Sequence, residues 1–170
     1  MKKFLSRILI LFAAAACAGG CGIYSFSGTS IQSDVRTIHI ELFEYKAQKV
    51  NPSLSNDLTE ALRSRFRQMT RLEQVDQDAD LEITGEITAY NVNASAISAS
   101  ERAELSRLTV GIRVNFTNRK YPEDDFSDKN FSQYAEFKSD LSLESVESDL
   151  CKEIIDALCD DVFNATVAQW

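Results

Sequence analysis

Histidine is almost absent from this chain of 170 residues, and His39 is its one representative. A metal site built on several histidines is therefore excluded, and a Ser/His/Asp triad is disfavoured because His39 lies mid-strand without a companion. The sequence also lacks a glycine-rich phosphate loop and a Cys-x-x-Cys pair. We therefore expect a structural His39, no metal, no cofactor, and a domain that binds rather than catalyses.

The acidic clusters lack the features of a calcium loop. Asp76, Asp78 and Asp80 alternate along the chain, but the glycine and the distal glutamate of an EF-hand loop are missing. We interpret these residues as a solvated turn, and the pairs at 124–125 and 160–161 as surface charge. A hydrolase would need a convergent polar cluster, which the sequence does not offer.

The first twenty residues have the pattern of a signal peptide. Lys2, Lys3 and Arg7 precede an apolar run at 8–16, and small residues then lead to Cys21. The apolar run is too short to span a bilayer as a stable helix. A cysteine that closes such a pattern is typical of a lipoprotein, in which the thiol is acylated.

Two cysteines compete for acylation, because Cys17 and Cys21 both follow small residues. Cys21 is preferred, since residues 17–20 then form a short polar exit from the apolar run, and Cys17 is the second choice. Gly22 stands where an aspartate would retain a lipoprotein in the inner membrane. We therefore expect a lipid anchor in the outer membrane, with the domain on the periplasmic side or inside a barrel.

The remaining chain is strongly acidic. Residues 1–20 hold three of the 18 basic residues and none of the 26 acidic ones, so 15 basic residues face 26 acidic ones, a net charge near −11. Such a charge disfavours nucleic acid and anionic headgroups as general partners, because both require a basic footprint. About 150 residues are enough for one domain with one core.

The two remaining cysteines are not expected to pair. Cys151 and Cys159 lie eight residues apart on one predicted helix, which is about 12 Å of rise and too far for a disulfide. We expect both thiols to stay reduced and to face the sheet as small apolar groups. An intermolecular bridge is the alternative.

Two helices follow from apolar spacing. The first is predicted over 52–70, with Asn51 as N-cap and Pro52 at its first position. The second is predicted over 143–168, with Ser142 as a plausible N-cap.

Strands follow from alternating apolar and polar residues. A short strand at 35–43 precedes the first helix, and 72–75 is interpreted as a short returning strand. The clearest alternation is at 81–89 and 108–117, and the aromatic-rich segment 131–137 completes a meander.

These elements predict a two-layer α/β sandwich of the α+β type. We expect a sheet of about four strands, mixed and mostly antiparallel, covered on one face by both helices. The predicted organisation is a signal peptide at 1–20, a lipidated tether at 21–34 and one α/β domain at 35–170.

Several segments together resemble the LptE family of lipopolysaccharide-assembly lipoproteins. They are CGIYSFSG (21–28), VNPSLS (50–55), GEITAY (85–90), VNFTN (114–118) and the closing stretch 153–170. The resemblance implies a non-enzymatic protein with a two-layer α/β domain. It also implies a partner, the outer-membrane barrel LptD, which such proteins help to assemble and keep plugged while lipopolysaccharide passes to the cell surface. A lipoprotein carrier for a lipid or small molecule is the alternative, but it would require an apolar cavity.

Two segments are candidates for contact with a partner or with lipopolysaccharide. Arg63, Arg67 and Arg71 are spaced four apart and are predicted to form a basic stripe, which suits acidic groups of a barrel lumen or phosphates of lipid A. The connection 93–107 is longer than a hairpin requires, and a long loop is often functional. Its candidate contact residues are Ser98, Glu101 and Arg102. The alternative for both segments is plain solvation.

Overall fold

The computed structural model describes residues 31–95 and 105–168. The elements in chain order are β1 (Thr37–Ile40), β2 (Glu44–Tyr45), α1 (Leu54–Met69), β3 (Glu73–Gln74), β4 (Leu81–Ser95), β5 (Leu105–Asn118), a 3₁₀ turn (Pro122–Asp124), β6 (Phe126–Lys138) and α2 (Leu143–Thr166). None of the helices in these ranges is both long and apolar enough to cross a bilayer.

The strands form one mixed sheet in the order β3-β1-β4-β5-β6. The neighbours β3, β1 and β4 are parallel, whereas β4, β5 and β6 form an antiparallel meander. The segment β2 pairs with β4 beyond the end of β1. The predicted fold class is confirmed, although the sheet has six strand segments instead of about four.

The predicted strand at 35–43 is wrong in its extent, because β1 ends at Ile40. Ile40 pairs with Ile83, and Glu44 pairs with Glu86, so the three residues between β1 and β2 oppose two residues of β4. In this bulge Phe43 is buried and Leu42 is exposed. The ring of Phe43 lies over Gly85, the residue of β4 that has no side chain to displace it.

Helix α1 begins two residues later than predicted and ends one residue earlier. The amide oxygen of Asn51 still accepts hydrogen bonds from the backbone N–H groups of Ser53 and Leu54, at 3.1 and 3.2 Å. The N-cap residue itself is Ser53, so the predictions of Asn51 as N-cap and of Pro52 at the first helical position were wrong. Asn51 instead stabilises the turn that leads into the helix. Because the helix ends at Met69, Arg71 lies outside it.

Both helices pack on the same face of the sheet and against each other. Phe66 of α1 meets Phe163 of α2 edge to face, with 5.1 Å between the ring centroids. Leu62 and Leu158 are also fully buried in this layer, and each such side chain contributes about 1.5–3 kcal/mol of transfer free energy. The opposite face of the meander is open and polar.

The two ends of the long strands β4 and β5 serve as reference points for the rest of the molecule. Residues Leu81 and Asn118 are ladder partners at one end of the meander, and Ser95 and Leu105 are partners at the other. The strand β4 spans about 45 Å between those ends at ~3.3 Å per residue. We call the first the tether end, because the described chain begins there with Ile31, and the second the hairpin end.

Candidate functional site

The three arginines of the predicted stripe lie in different surroundings. The Arg63 guanidinium donates from Nε and Nη2 to the backbone oxygen of Ile40, at 3.2 and 2.6 Å, and from Nη1 to Glu60, at 2.7 Å. It therefore ties α1 to the end of β1. The chain turns after Met69, so Arg71 belongs to the connection between α1 and β3.

Arg67 and Arg71 are exposed, and no carboxylate among the described residues lies within ion-pair distance of either. Arg36, which the sequence analysis did not single out, is a third exposed arginine at this end. Its backbone oxygen accepts from the N–H of Glu73 at 2.9 Å, and its side chain lines the same groove as that of Arg71. Only the parallel pairing of β1 with β3 brings these positions together, and no local sequence pattern reveals it.

The groove lined by Arg36 and Arg71 measures about 550 Å³. Ile31, where the described chain begins, forms part of its wall together with Met69, whose surface is 54% exposed. The groove therefore combines apolar surface with guanidinium groups at the tether end.

The predicted long connection at 93–107 is wrong in its extent. Asn93 pairs with Arg107, and Ser95 pairs with Leu105, so the two strands continue almost to the end of that segment. The connection proper is 96–104. Ser98, Glu101 and Arg102 lie outside the described residues, and so do Cys17 and Cys21.

The open face of the sheet carries charges that pair with one another. Arg107 forms an ion pair with Glu136 at 2.7 Å, and its guanidinium carbon lies 3.9 Å from the ring centroid of Tyr134. The hydrogen bond from Arg107 lowers the pKa of the Glu136 carboxyl. Farther along, Arg113 reaches Glu86 at 3.1 Å. This face is therefore polar, and the charges of these ion pairs cancel each other.

A cleft of about 830 Å³ separates the start of α1 from the start of α2. At its inner edge, the hydroxyl of Tyr90 donates to the carboxylate of Glu147, which also accepts from the Asn51 amide at 3.2 Å. Burial, and next the hydrogen bond to Glu147, raises the pKa of Tyr90 far above its ordinary value. The cluster links both helices to β4.

The acidic residues interpreted as solvated are largely engaged. Asp80 accepts from the backbone N–H of Arg36 at 2.7 Å, and Asp125 accepts from that of Asn118 at 2.6 Å. Asp161 accepts from the Gln133 amide at 2.6 Å. Three more aspartates accept hydrogen bonds. Asp124 accepts from Asn118 and Gln32, Asp160 accepts from Arg65, and Asp78 accepts from Arg119. The prediction of a solvated turn is confirmed for Asp76 and Asp78, which are exposed, and is wrong for Asp80, whose partners Arg36 and Thr37 are remote in sequence. The pairs at 124–125 and 160–161 lie at the surface and also make these hydrogen bonds.

Three other predictions concern nucleophiles and metal ligands. The Nδ1 atom of His39 lies 3.0 Å from the backbone oxygen of Val75, which is a structural contact. Cys151 and Cys159 are free and buried, and burial raises the pKa of both thiols, that of Cys159 to about 12. Within the described ranges, no group of three potential ligands could hold a metal ion.

Comparison with known proteins assigns the chain to a family. The family model described as "LptE: Lipopolysaccharide-assembly" matches residues 35–166, which is nearly all of the described domain. Among curated proteins no match was found.

One solved structure, of a protein from Chlamydia trachomatis, supports the fold. The hypothetical protein CT253 from Chlamydia trachomatis is 8% identical, with a TM-score of 0.54 over 79% of this chain and 99% of that chain. A minor lipoprotein from Acinetobacter baumannii is 13% identical, with a TM-score of 0.42 over 75% of this chain and 89% of that chain. At 8% identity, the likeness to CT253 shows a shared fold alone.

Proposed function

The chain belongs to the LptE family of lipopolysaccharide-assembly proteins, and from this premise we propose that it is a non-enzymatic lipoprotein of the outer membrane that helps to assemble the barrel LptD and plugs it. The observation that carries the proposal is the family match over residues 35–166, because it covers the whole α/β domain.

The open face of the sheet supports a position inside a barrel. A barrel lumen is polar and filled with water, and the open face presents charges such as Arg113 and Glu86 that are already paired with each other. Such a face is stable beside water and polar lumen groups. It would not be stable against acyl chains, which cannot solvate the ion pairs.

A carrier of lipids or small molecules is less well supported. The layer between the sheet and the two helices is filled by a continuous cluster of buried side chains that includes Phe66, Ile83 and Leu158. The cleft of about 830 Å³ between the helices is open, and it is lined by five carboxylates and Lys152. That lining does not suit an apolar ligand.

The partnership is tested by purifying the tagged full-length chain from outer membranes in mild detergent and identifying co-purifying proteins by mass. We expect a large β-barrel protein in stoichiometric amount. An unrelated outer-membrane lipoprotein with the same tag is the control. If the chain reaches the outer membrane but no barrel accompanies it, the plug proposal is wrong.

The anchor is tested separately by labelling with radioactive palmitate. We propose acylation at Cys21, so Cys21→Ala is expected to abolish labelling, whereas Cys17→Ala retains it. Three acyl chains would anchor the domain stably, since each buried methylene contributes about 0.8 kcal/mol. Undiminished labelling of Cys21→Ala would move the site to Cys17.

A further inference from the structure

The two edges of the sheet differ greatly in length. The strand β6 forms one edge with 13 residues, and no other described strand pairs with its outer side. The strand β3, at the other edge, has only two residues. Because an edge strand presents a row of unpaired backbone N–H and C=O groups, a long edge is a template for a further strand.

The neighbouring strand β5 shows which backbone groups of β6 are unpaired. Ile83 of β4 directs its backbone oxygen to the N–H of Glu41, at 3.0 Å, on the side away from β5. Its ladder partner Phe116 therefore makes no ladder hydrogen bond to β4 and directs its backbone groups to β6. The bulges add residues to β4 and β6, so this alternation is unbroken along β5. The N–H of Asn118, two residues on, accordingly donates to Asp125 on the β6 side, at 2.6 Å.

Four residues of β6 consequently direct their backbone groups outwards. The even-numbered residues of β5 from Ser106 to Ile112 pair with the odd-numbered residues of β6 from Phe131 to Phe137. The residues that alternate with these partners face away from β5, and all of them are exposed: Asn130, Ser132, Tyr134 and Glu136. They offer N–H donors and C=O acceptors at the spacing of an extended backbone.

This stretch of the edge lacks the usual protections against strand addition. Natural sheets protect long edges with lysines, prolines and bulges. The bulge of β6 lies at 127–128, and the segment 130–137 has no proline or lysine. The one charged residue of that segment, Glu136, is already paired with Arg107 at 2.7 Å. Tyr134 is 52% exposed, and tyrosine is a residue type that anchors protein interfaces.

We propose, on the basis of the function proposed above, that the outer edge of β6 at 130–137 binds an extended segment of the barrel partner, which adds to the sheet as a further strand. The wall strands of a closed barrel are already paired with each other. The added strand therefore comes from a connecting loop of the barrel that folds into the polar lumen.

A second copy of this chain is a weaker candidate for the same edge. Residues 21–170 hold 15 basic and 26 acidic residues, so pairing of two β6 edges would bring two acidic domains together. Like charges within the Debye length of about 10 Å repel each other. An uncharged loop of the barrel avoids this repulsion, and its alternate side chains beside Tyr134 would give the pairing its specificity.

The experiment makes two differently tagged forms of the full-length chain compete for the barrel in the same cells. The variant Ser132→Pro, Tyr134→Pro removes two outward N–H donors and none that faces β5, and proline is tolerated on an edge strand. Wild type should exceed this variant roughly 30-fold in the barrel-bound fraction, which corresponds to the loss of two hydrogen bonds. The matched variant Ser132→Ala, Tyr134→Phe keeps both donors and should be bound as well as wild type.

Thermal unfolding of the purified chains checks that the variants fold. We expect the double-proline variant to unfold within a few degrees of wild type. Gln133→Pro removes an N–H that faces β5, so it should unfold at a clearly lower temperature.

Hydrogen exchange of the wild-type chain gives a second measurement, which decides the question if the double-proline variant does not fold. The amides of the four outward residues should exchange rapidly in the purified full-length chain in detergent. In the complex with the barrel they should exchange on the order of 10-fold more slowly.

Equal capture of a folded double-proline variant, or unchanged exchange of these amides in the complex, would overturn the strand-addition proposal and leave the partnership intact. Slow exchange in the purified chain would also overturn it. Slow exchange at every concentration would assign the edge to another segment of the same chain, and slow exchange only at high concentration would assign it to a second copy. If no barrel accompanies the wild-type chain, the proposed function fails together with the strand addition.

Discussion

At the scale of single residues, Asp80 holds together the starts of two neighbouring strands. Its carboxylate accepts from the backbone N–H groups of Arg36 and Thr37, and its own N–H donates to the hydroxyl of Thr37 at 2.8 Å. The N–H of Arg36 contributes most to lowering the pKa of the Asp80 carboxyl, followed by the ammonium group of Lys120 and the N–H of Thr37. The residue thus fixes the entry of β1 into the sheet.

Replacing Asp80 by asparagine is expected to lower the free energy of unfolding by about 1–2 kcal/mol at neutral pH, because charge-assisted hydrogen bonds are weakened. The folded-state pKa is lowered, so this contribution is complete above the unfolded pKa near 3.9 and is lost as the pH falls through the folded value. Urea titrations of both proteins between pH 7 and pH 2.5 should therefore converge at the acidic end. Asp78→Asn is the matched control, since that side chain is 94% exposed and should change stability little.

A second prediction at this scale concerns the two thiols of α2. Cys159 has a pKa raised to about 12 by burial, so only on the order of one thiol in 10⁴ is ionised at pH 8. Cys151 is also buried, and burial raises its pKa as well. We expect neither thiol of the native chain to react with a bulky maleimide, and both to react in urea, as peptide mapping would show. Rapid labelling of either thiol in the native protein would contradict the buried arrangement.

At the scale of elements, alternation in the sequence predicted the strands where one face is buried. The segments at 81–89 and 108–117 lie within β4 and β5, because their apolar residues cover the core. A register shift between Ile87 and Ala89 changes the phase of the alternation, so that Tyr90 is buried and Ala89 is not, and the pairing with β5 extends the strand to Ser95. Extension of that kind depends on the partner strand and not on local pattern.

The candidate site was harder to predict than the fold. Helical spacing grouped Arg63 with Arg67, but only the tertiary structure shows that Arg63 donates to the backbone oxygen of Ile40. Arg36 stands alone in the sequence and joins Arg71 only through the pairing of β1 with β3. Surface sites assembled from distant segments leave no local signal.

The bulge between β1 and β2 yields a prediction for the sheet. A Cβ atom at Gly85 would lie 2.5 Å from Cε1 of Phe43 and 2.7 Å from the backbone oxygen of Arg113. Phe43 is buried, so neither atom can move freely, and Gly85→Ala is expected to cost about 1–3 kcal/mol of stability by overpacking. Gly111→Ala is the control, because its nearest neighbour would be the Ala89 Cβ atom at 3.2 Å. Thermal unfolding of both variants checks this, and an equal loss in the two would refute the role of Phe43.

At the scale of the whole molecule, the two ends of the sheet differ in chemistry. The tether end carries Arg36, Arg67 and Arg71, whereas the hairpin end carries the ladder pair Ser95 and Leu105. The open face between the ends satisfies its own charges, since Glu82 pairs with Arg119 at 3.5 Å and Arg113 pairs with Glu86. The long axis of the domain therefore runs from the tether end, where these three arginines lie, towards the connection at 96–104.

The position of the hairpin end leads to a prediction about where the barrel contacts the chain. Residues 96–104 connect Ser95 to Leu105 at the hairpin end, the end of the sheet opposite to the ladder pair Leu81 and Asn118. A barrel lumen is polar, and connections between strands often carry the contacts with a partner. We expect photo-crosslinking residues at Ser98 and Glu101 to capture the barrel in living cells. Residues at Glu82 and Arg113 are the comparison, because their charges are already satisfied within the domain. Capture only from Glu82 and Arg113 would assign the contact to the open sheet face, and capture from none of the four positions would reject the plug itself.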